Sequence, residues 1–177
     1  MPGVPPARYA YLGPEGTFTE AALRTLPAAS RSELLPHPSV VAALDSVRAG
    51  DADGAVVPIE NSVEGGVAVT LDELSTGDPL IITREMHVEV QFSLLAKPLT
   101  RTGDVRRVAT HPHAEAQCRR WLATHLPDAE ILLEASTAQA AALVAAADSP
   151  YDAAIAAPIA AQTYRLATLA TAIADRA

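Results

Sequence analysis

Four short segments of this 177-residue chain gather the residue types that small-anion chemistry uses. They are Gly13-Pro14-Glu15-Gly16-Thr17-Phe18, Pro58-Ile59-Glu60-Asn61-Ser62, His111-Pro112-His113-Ala114-Glu115-Ala116-Gln117-Cys118 and Ser136-Thr137. Each combines backbone N–H groups with short polar side chains, the equipment that holds a carboxylate or phosphate where a helix begins. None carries a carboxylate pair with catalytic spacing. Gly13-x-x-Gly16 fits neither a Walker loop nor a dinucleotide fingerprint. His111-x-His113 with Cys118 offers three soft ligands and no second cluster, so no metal is expected there.

Every one of these residues also has a purely structural reading. Gly13 and Gly16 permit a tight turn, and Thr17 caps a helix. Asn61 and Ser62 satisfy their own backbone in a turn. Gln117 lies on a helix surface. Cys118 is a small buried residue inside a helix, with no activating arrangement in sight. Trp121 belongs to a core, and Thr163 and Tyr164 belong to the last helix.

The elements that must position these segments alternate short strands with helices. Tyr9–Leu12 reads as a strand, and Thr17 with Glu20 three residues on has capping-box spacing at a helix start. Residues 33–36 form a second strand. Ser39 caps a helix with apolar Val40, Val41, Leu44 and Val47 at helical spacing, and Gly50 ends it. Ala55–Val57 is a third strand, closed by Pro58. A loop from Ile59 to Gly66 leads to a short helix through Leu71 and Leu74. From Leu80 to Leu95 the chain reads as strand throughout, with Val88, Val90, Phe92 and Leu94 alternating with Glu89, Gln91 and Ser93 at a period of two, which predicts a long strand pair. The first rhythm then resumes. A strand spans Arg107–Thr110, and one helix runs through Trp121 to about Leu126. A strand spans Ile131–Leu133, and Ser136 with Gln139 caps an Ala-rich helix. A strand spans Ala153–Ala156, and Pro158 opens a last helix running to about Ala174.

The expected fold is therefore α/β with two lobes. Residues 1–7 form a loose tail, 8–84 the first lobe and 85–157 the second. The helix of 158–177 returns toward the first. In such folds ligands bind at the carboxyl ends of strands, where the four segments sit. Composition narrows the ligand. A formal net charge of −8 and no Lys/Arg run argue against nucleic acid. No apolar run is long enough to span a bilayer, so no membrane partner is expected. The N-terminus lacks a basic region followed by an apolar stretch, and a single cysteine excludes an internal disulfide; both fit a cytoplasmic location. Residue patterns alone lead to a two-lobed α/β protein that binds a small polar ligand between its lobes.

The wording of the segments leads further. Gly13-Pro14-Glu15-Gly16-Thr17-Phe18-Thr19-Glu20-Ala21-Ala22 closely resembles the opening motif of prephenate dehydratases. Pro58 to Gly65 resembles their second motif, and His111-Pro112 with Ala116-Gln117-Cys118 a third. Ser136-Thr137 with Ala140-Ala141 resembles a fourth, and Asp152-Ala153-Ala154-Ile155-Ala156 a fifth. All five stand in the family's order, from Tyr9 to Asp175. The resemblance implies a fold similar to type II periplasmic-binding proteins, with a ligand cleft between two lobes. It implies conversion of prephenate to phenylpyruvate, water and CO2, in phenylalanine biosynthesis, with no cofactor. It also implies a homodimer or homotetramer.

By the same resemblance, Asn61, Ser62, Gln117 and Thr17 are the expected catalytic residues. Gly16, Phe18, Glu60, Gly65, His111, Ser136 and Thr137 are expected to bind substrate, with Glu60 orienting Asn61 from behind. The family carries a Thr-Arg-Phe motif just beyond the last helix, whose Thr is the natural proton donor to the leaving hydroxyl. This sequence ends at Asp175-Arg176-Ala177, and its Thr83-Arg84 and Thr100-Arg101 lack the Phe and the position. The expectation is reduced or absent turnover without that segment, and no phenylalanine inhibition through the ACT domain that usually follows. The competing expectation is a two-lobed carboxylate-binding module without chemistry. A purely structural partner protein would leave the polar loops unexplained.

Overall fold

The computed structural model describes residues 7–62 and 65–175. The expected tail lies mostly outside them; within them, Ala7 already accepts a hydrogen bond from the Glu33 N–H. The chain divides into two compact units. The first holds the residues through Pro14 together with Phe18–Val88, and the second holds Glu15–Thr17 with the residues from Glu89 onward. The division after Val88 falls four residues later than the sequence pattern placed it. The short excursion of Glu15–Thr17 was not foreseen.

The first unit is built on a parallel sheet of β1 (Arg8–Leu12), β2 (Glu33–His37) and β3 (Gly54–Val56), in the order β2-β1-β3. Helix α1 (Phe18–Arg24) joins β1 to β2, and α2 (Val40–Arg48) joins β2 to β3. The chain thus moves outward from β1 and then crosses back over it. Right-handed crossovers then put the two helices on opposite faces. Tyr11, Leu23 and Val56 form the core on the α1 face, and Ala10, Ala43 and Ala52 the core on the α2 face. Ser39 caps α2 by accepting the Ala42 N–H at 3.1 Å. Gly50, at φ +77, turns the chain away after it.

Beyond β3 the expected loop contains a small hairpin. β4 (Glu60–Asn61) pairs antiparallel with β5 (Gly65–Gly66), and α3 (Ala68–Thr76) follows. The long strand pair expected over 80–95 does not form. Residues 79–92 form no strand or helix, and Ile81 and Ile82 are 88% and 66% exposed. Alternation of apolar and polar residues favours an extended backbone, but a strand also needs a partner.

The second unit repeats the plan on a five-stranded sheet. Its strands are β6 (Ser93–Ala96), β7 (Arg107–Thr110), β8 (Glu130–Leu133), β9 (Ala153–Ala156) and β10 (Ala167–Ala170), in the order β10-β6-β9-β7-β8. β7, β8 and β9 are parallel, and β6 runs antiparallel to both β9 and β10. All residues of β6 and β9 are buried, as the apolar sequence of β9 and the Leu94-Leu95-Ala96 run of β6 require of strands covered on both faces. The helix expected from His111 to Leu126 is two helices, α4 (Pro112–Gln117) and α5 (Arg119–His125), broken at Cys118. α6 (Thr137–Ala145) crosses from β8 to β9 and packs on Ala109, Ala154 and Ala156.

The last helix is shorter than expected. α7 (Pro158–Thr163) ends at once, and β10 takes the place of its predicted second half. Leu166 N–H bonds the Ala161 carbonyl and Arg165 N–H the Gln162 carbonyl, while Arg165 stands at φ +55. This is a Schellman stop with arginine where glycine is usual. The Ala-rich sequence beyond it advertised helix, and no glycine marked the end. Residues 158–175 belong to the second unit.

Candidate active site

Both units have the same topological switch. In the first, β1 and β3 are neighbours whose outgoing connections leave in different directions; in the second, β7 and β9 are. Loops beyond the carboxyl ends of such strand pairs are where open α/β sheets bind ligands. Three of the four chemically equipped segments lie there. Gly13–Phe18 follows β1, Pro58–Ser62 follows β3, and His111–Cys118 follows β7. Ser136-Thr137 follows β8, one strand farther out.

In the second unit, Gly16 lies against α7, the helix that begins where β9 ends. Gly16 is buried, at φ +84, and a Cβ there would stand 2.9 Å from the Tyr164 ring and 3.3 Å from the Ala160 backbone. The Tyr164 hydroxyl donates to the Glu15 carbonyl at 2.6 Å. The loop is therefore clamped on both sides of Gly16. Tyr164, read from sequence as an ordinary helical residue, is a support of this loop. Its signal was only the near-absence of aromatics elsewhere.

His111 caps α4. Its Nδ1 accepts the His113 N–H at 3.3 Å, which leaves the ring hydrogen of the neutral imidazole on Nε2. The His113 ring meets it edge-on at 4.6 Å between centroids. Thr110, wholly buried at the end of β7, donates to the Ile155 carbonyl at 3.1 Å and ties β7 to β9 beneath the switch. Gln117 is half-buried at the end of α4. Ser136 caps α6, accepting the Gln139 N–H at 3.0 Å, and Thr137 is the first residue of that helix. Cys118 is buried, and that burial first, then Asp175 and Glu115, pushes its thiol up to about 12. At neutral pH it is a protonated packing residue and not a nucleophile, as its sequence surroundings suggested. Trp121 is only half-buried and stacks on His125; Leu122 beside it is the core residue.

In the first unit, Glu60 and Asn61 form β4, opposite Gly66 and Gly65. Asn61 is half-buried, while Glu60, Ser62 and Gly65 are exposed; Phe18 is half-buried at the start of α1. Two bonds hold this loop down. The buried Thr70 hydroxyl donates to the Pro58 carbonyl at 2.7 Å, and the Val67 N–H to the Ile59 carbonyl at 2.9 Å. A surface depression in this unit, beside Pro36, Ala42 and Ser46, contains none of the expected site residues. Asp152, part of the fifth motif, serves the fold: its carboxylate accepts the N–H groups of Arg106 and Arg107.

The prephenate dehydratase family model matches residues 9–177. The chain belongs to the prephenate dehydratase family. A prephenate dehydratase of Amycolatopsis methanolica is 50% identical over 169 residues, covering 96% of this chain and 54% of its own length. One of Mycolicibacterium vanbaalenii is 47% identical over 188 residues, covering 99% and 58% respectively. The crystal structure of the Arthrobacter aurescens prephenate dehydratase, in complex with L-Phe, matches with a TM-score of 0.90 at 48% identity. It covers 96% of this chain and 56% of that one. The α/β fold in two units is thus the fold of a solved family member. The chain spans little more than half the length of the curated relatives it matches. Among the described residues, no helix is long and apolar enough to cross a membrane.

Proposed function

We propose that this chain carries the catalytic residues of a prephenate dehydratase, a carbon–oxygen lyase acting in phenylalanine biosynthesis. One observation carries the reading. The family's motif loops occupy the carboxyl ends of β1, β3 and β7, the strands at the switch point of each unit, with their short polar residues supported by buried side chains.

Prephenate bears two carboxylates and a ring hydroxyl. Conversion of its dianion breaks the bond to the ring carboxylate and the bond to the hydroxyl. It consumes one proton and yields CO2, water and the phenylpyruvate anion. The electron pair freed by CO2 departure enters the ring as the C–O bond breaks, and aromaticity drives the step. The protein must hold two anionic ends, stabilise moving charge, and deliver the proton that turns hydroxide into water. Donor groups suit the first two demands. Backbone N–H groups at Gly16 and Thr17, with the Thr17 hydroxyl, hold one carboxylate. Ser136 and Thr137 hold the second. Asn61 and Ser62 face the hydroxyl that leaves, Gln117 and the neutral Nε2–H of His111 stabilise charge, and Glu60 orients Asn61. Phe18 and Gly65 shape the surroundings. The proton donor is not assigned to any of these residues. No step requires a cofactor. A cytoplasmic homodimer or homotetramer completes the reading.

The test is incubation with prephenate near neutral pH, following phenylpyruvate against a protein-free control. Release well above the control supports the reading. Tight binding of prephenate without release would favour the carboxylate-binding module instead.

A further inference from the structure

The break between α4 and α5 has an identifiable cause. In an unbroken helix the Trp121 N–H bonds the Gln117 carbonyl, four residues back. Here those two groups are separated by one residue from far along the chain. The Gln117 carbonyl accepts the Asp175 N–H at 2.6 Å, and the Trp121 N–H donates to Asp175 Oδ1 at 3.1 Å. Asp175 Oδ2 takes the next free donor, the Arg120 N–H, at 2.9 Å. Asp175 thus inserts into the helical ladder, one of the recognised origins of a sharp helix break. Cys118, at φ −112 and ψ 10, absorbs the change of direction.

Asp175 is itself delivered by a fixed segment. Ile173 is buried, and its N–H bonds the Phe92 carbonyl at 3.1 Å. Ala172 stands at φ +51, a conformation that a residue with a side chain keeps only where its surroundings hold it. The break places Gln117 as the last residue of α4, beside the turn that the Asp175 main chain grips.

We propose that Asp175 is a positioning residue that holds α4 and α5 apart and thereby sets where Gln117 points. Without its carboxylate the Trp121 N–H loses its acceptor and turns to the Gln117 carbonyl four residues back, displacing the residue-175 N–H from it; the two helices join, and Gln117 rotates with the joint. The consequence for turnover rests on the function proposed above; the conformational consequence does not.

The test compares D175A, D175N, Q117A and the D175A/Q117A double variant, using backbone and side-chain NMR shifts alongside turnover of prephenate. In D175A the Cα shift of Cys118 is expected to move to helical values, with displacement of the Gln117 side-chain amide signal. D175N, which keeps an acceptor for Trp121 and gives up the charge and the Arg120 bond, is expected to move the same signals less. It also serves if D175A does not fold. The turnover number of D175A should fall by about 10²-fold, the scale of a misplaced reacting group, with a smaller change in KM. The double variant should be no slower than Q117A. Unmoved signals at Gln117 and Cys118 in both Asp175 variants would overturn the proposal. So would losses in the double variant that simply multiply. Moved signals with a fully active Q117A would leave the latch standing and count against the site reading alone.

Discussion

The Tyr164 hydroxyl donates to the Glu15 carbonyl at 2.6 Å, across 149 residues of chain. One phenol thereby holds the loop that presents the Gly16 and Thr17 amides, while its ring fills the space where a side chain at Gly16 would stand. The two functions separate by mutation. Y164F keeps the ring and loses a neutral hydrogen bond, worth about 1 kcal/mol. It should raise KM for prephenate several-fold with little change in melting temperature. G16A adds a methyl group against Tyr164 and Ala160 at a positive φ. Overpacking alone costs about 1–3 kcal/mol. It should lower the denaturation midpoint and abolish tight binding. A G16A variant as stable and active as the parent would show that this loop is not clamped as described.

Cys118 gives a prediction about pH. Its thiol ionises near 9.0 when unhindered and at about 12 in the folded chain, chiefly because of burial. The sign follows from linkage. Below about pH 9 the thiol is protonated in both states and has no effect on stability. Between about 9 and about 12 the unfolded chain alone releases the proton, so the folded state loses stability as pH rises. C118A should remove this alkaline component from a series of urea titrations, and the native thiol should resist a disulfide reagent at pH 8 until the chain unfolds. Rapid labelling of the native protein would contradict the burial.

Much of the scaffold was legible because local signals and tertiary demands agreed. Ser39 and Ser136 cap the helices that their spacing announced, and Pro158 opens α7. Arg107–Thr110 and Ala153–Ala156 are strands with the bounds that their apolar runs suggested. The misreadings came where a distant partner decides the outcome. Residues 88–92 have a strand's alternation but no ladder. Arg165 ends α7 without the glycine that would have marked it. The helix through Cys118 breaks because of Asp175, more than fifty residues away in sequence. The site shows the same division. Its loop residues were visible as polar words at strand ends, whereas Tyr164 and Asp175, which hold those loops, act through contacts that no local pattern encodes.

Thr70 offers a test of such support in the first unit. It is wholly buried, and its hydroxyl donates to the Pro58 carbonyl at 2.7 Å, under the loop that carries Asn61. T70V preserves the volume but strands that carbonyl, at a cost of about 1–3 kcal/mol. The urea midpoint should fall accordingly. Turnover should fall more steeply than stability requires, because the loop is freed from its base; T70S, which keeps the hydroxyl, should recover most of it. Equal activity in T70V and the parent would show that Pro58 does not govern the placement of Asn61.

Asn61 gives the most direct test of the chemistry. Its ladder to Gly65 is made by the main chain, so N61A leaves β4 and β5 paired. Loss of one preorganised donor from the charge that develops as hydroxide departs costs about 10²-fold or more in turnover number. N61A should show that loss in folded protein, as judged by its circular dichroism. N61D, of nearly the same shape but negatively charged, should be worse, because it opposes a dianionic substrate. If N61A turned over prephenate at the parent rate with the parent KM, the carboxyl end of β3 would not be part of the active site, and the donors of the second unit would have to account for the chemistry alone.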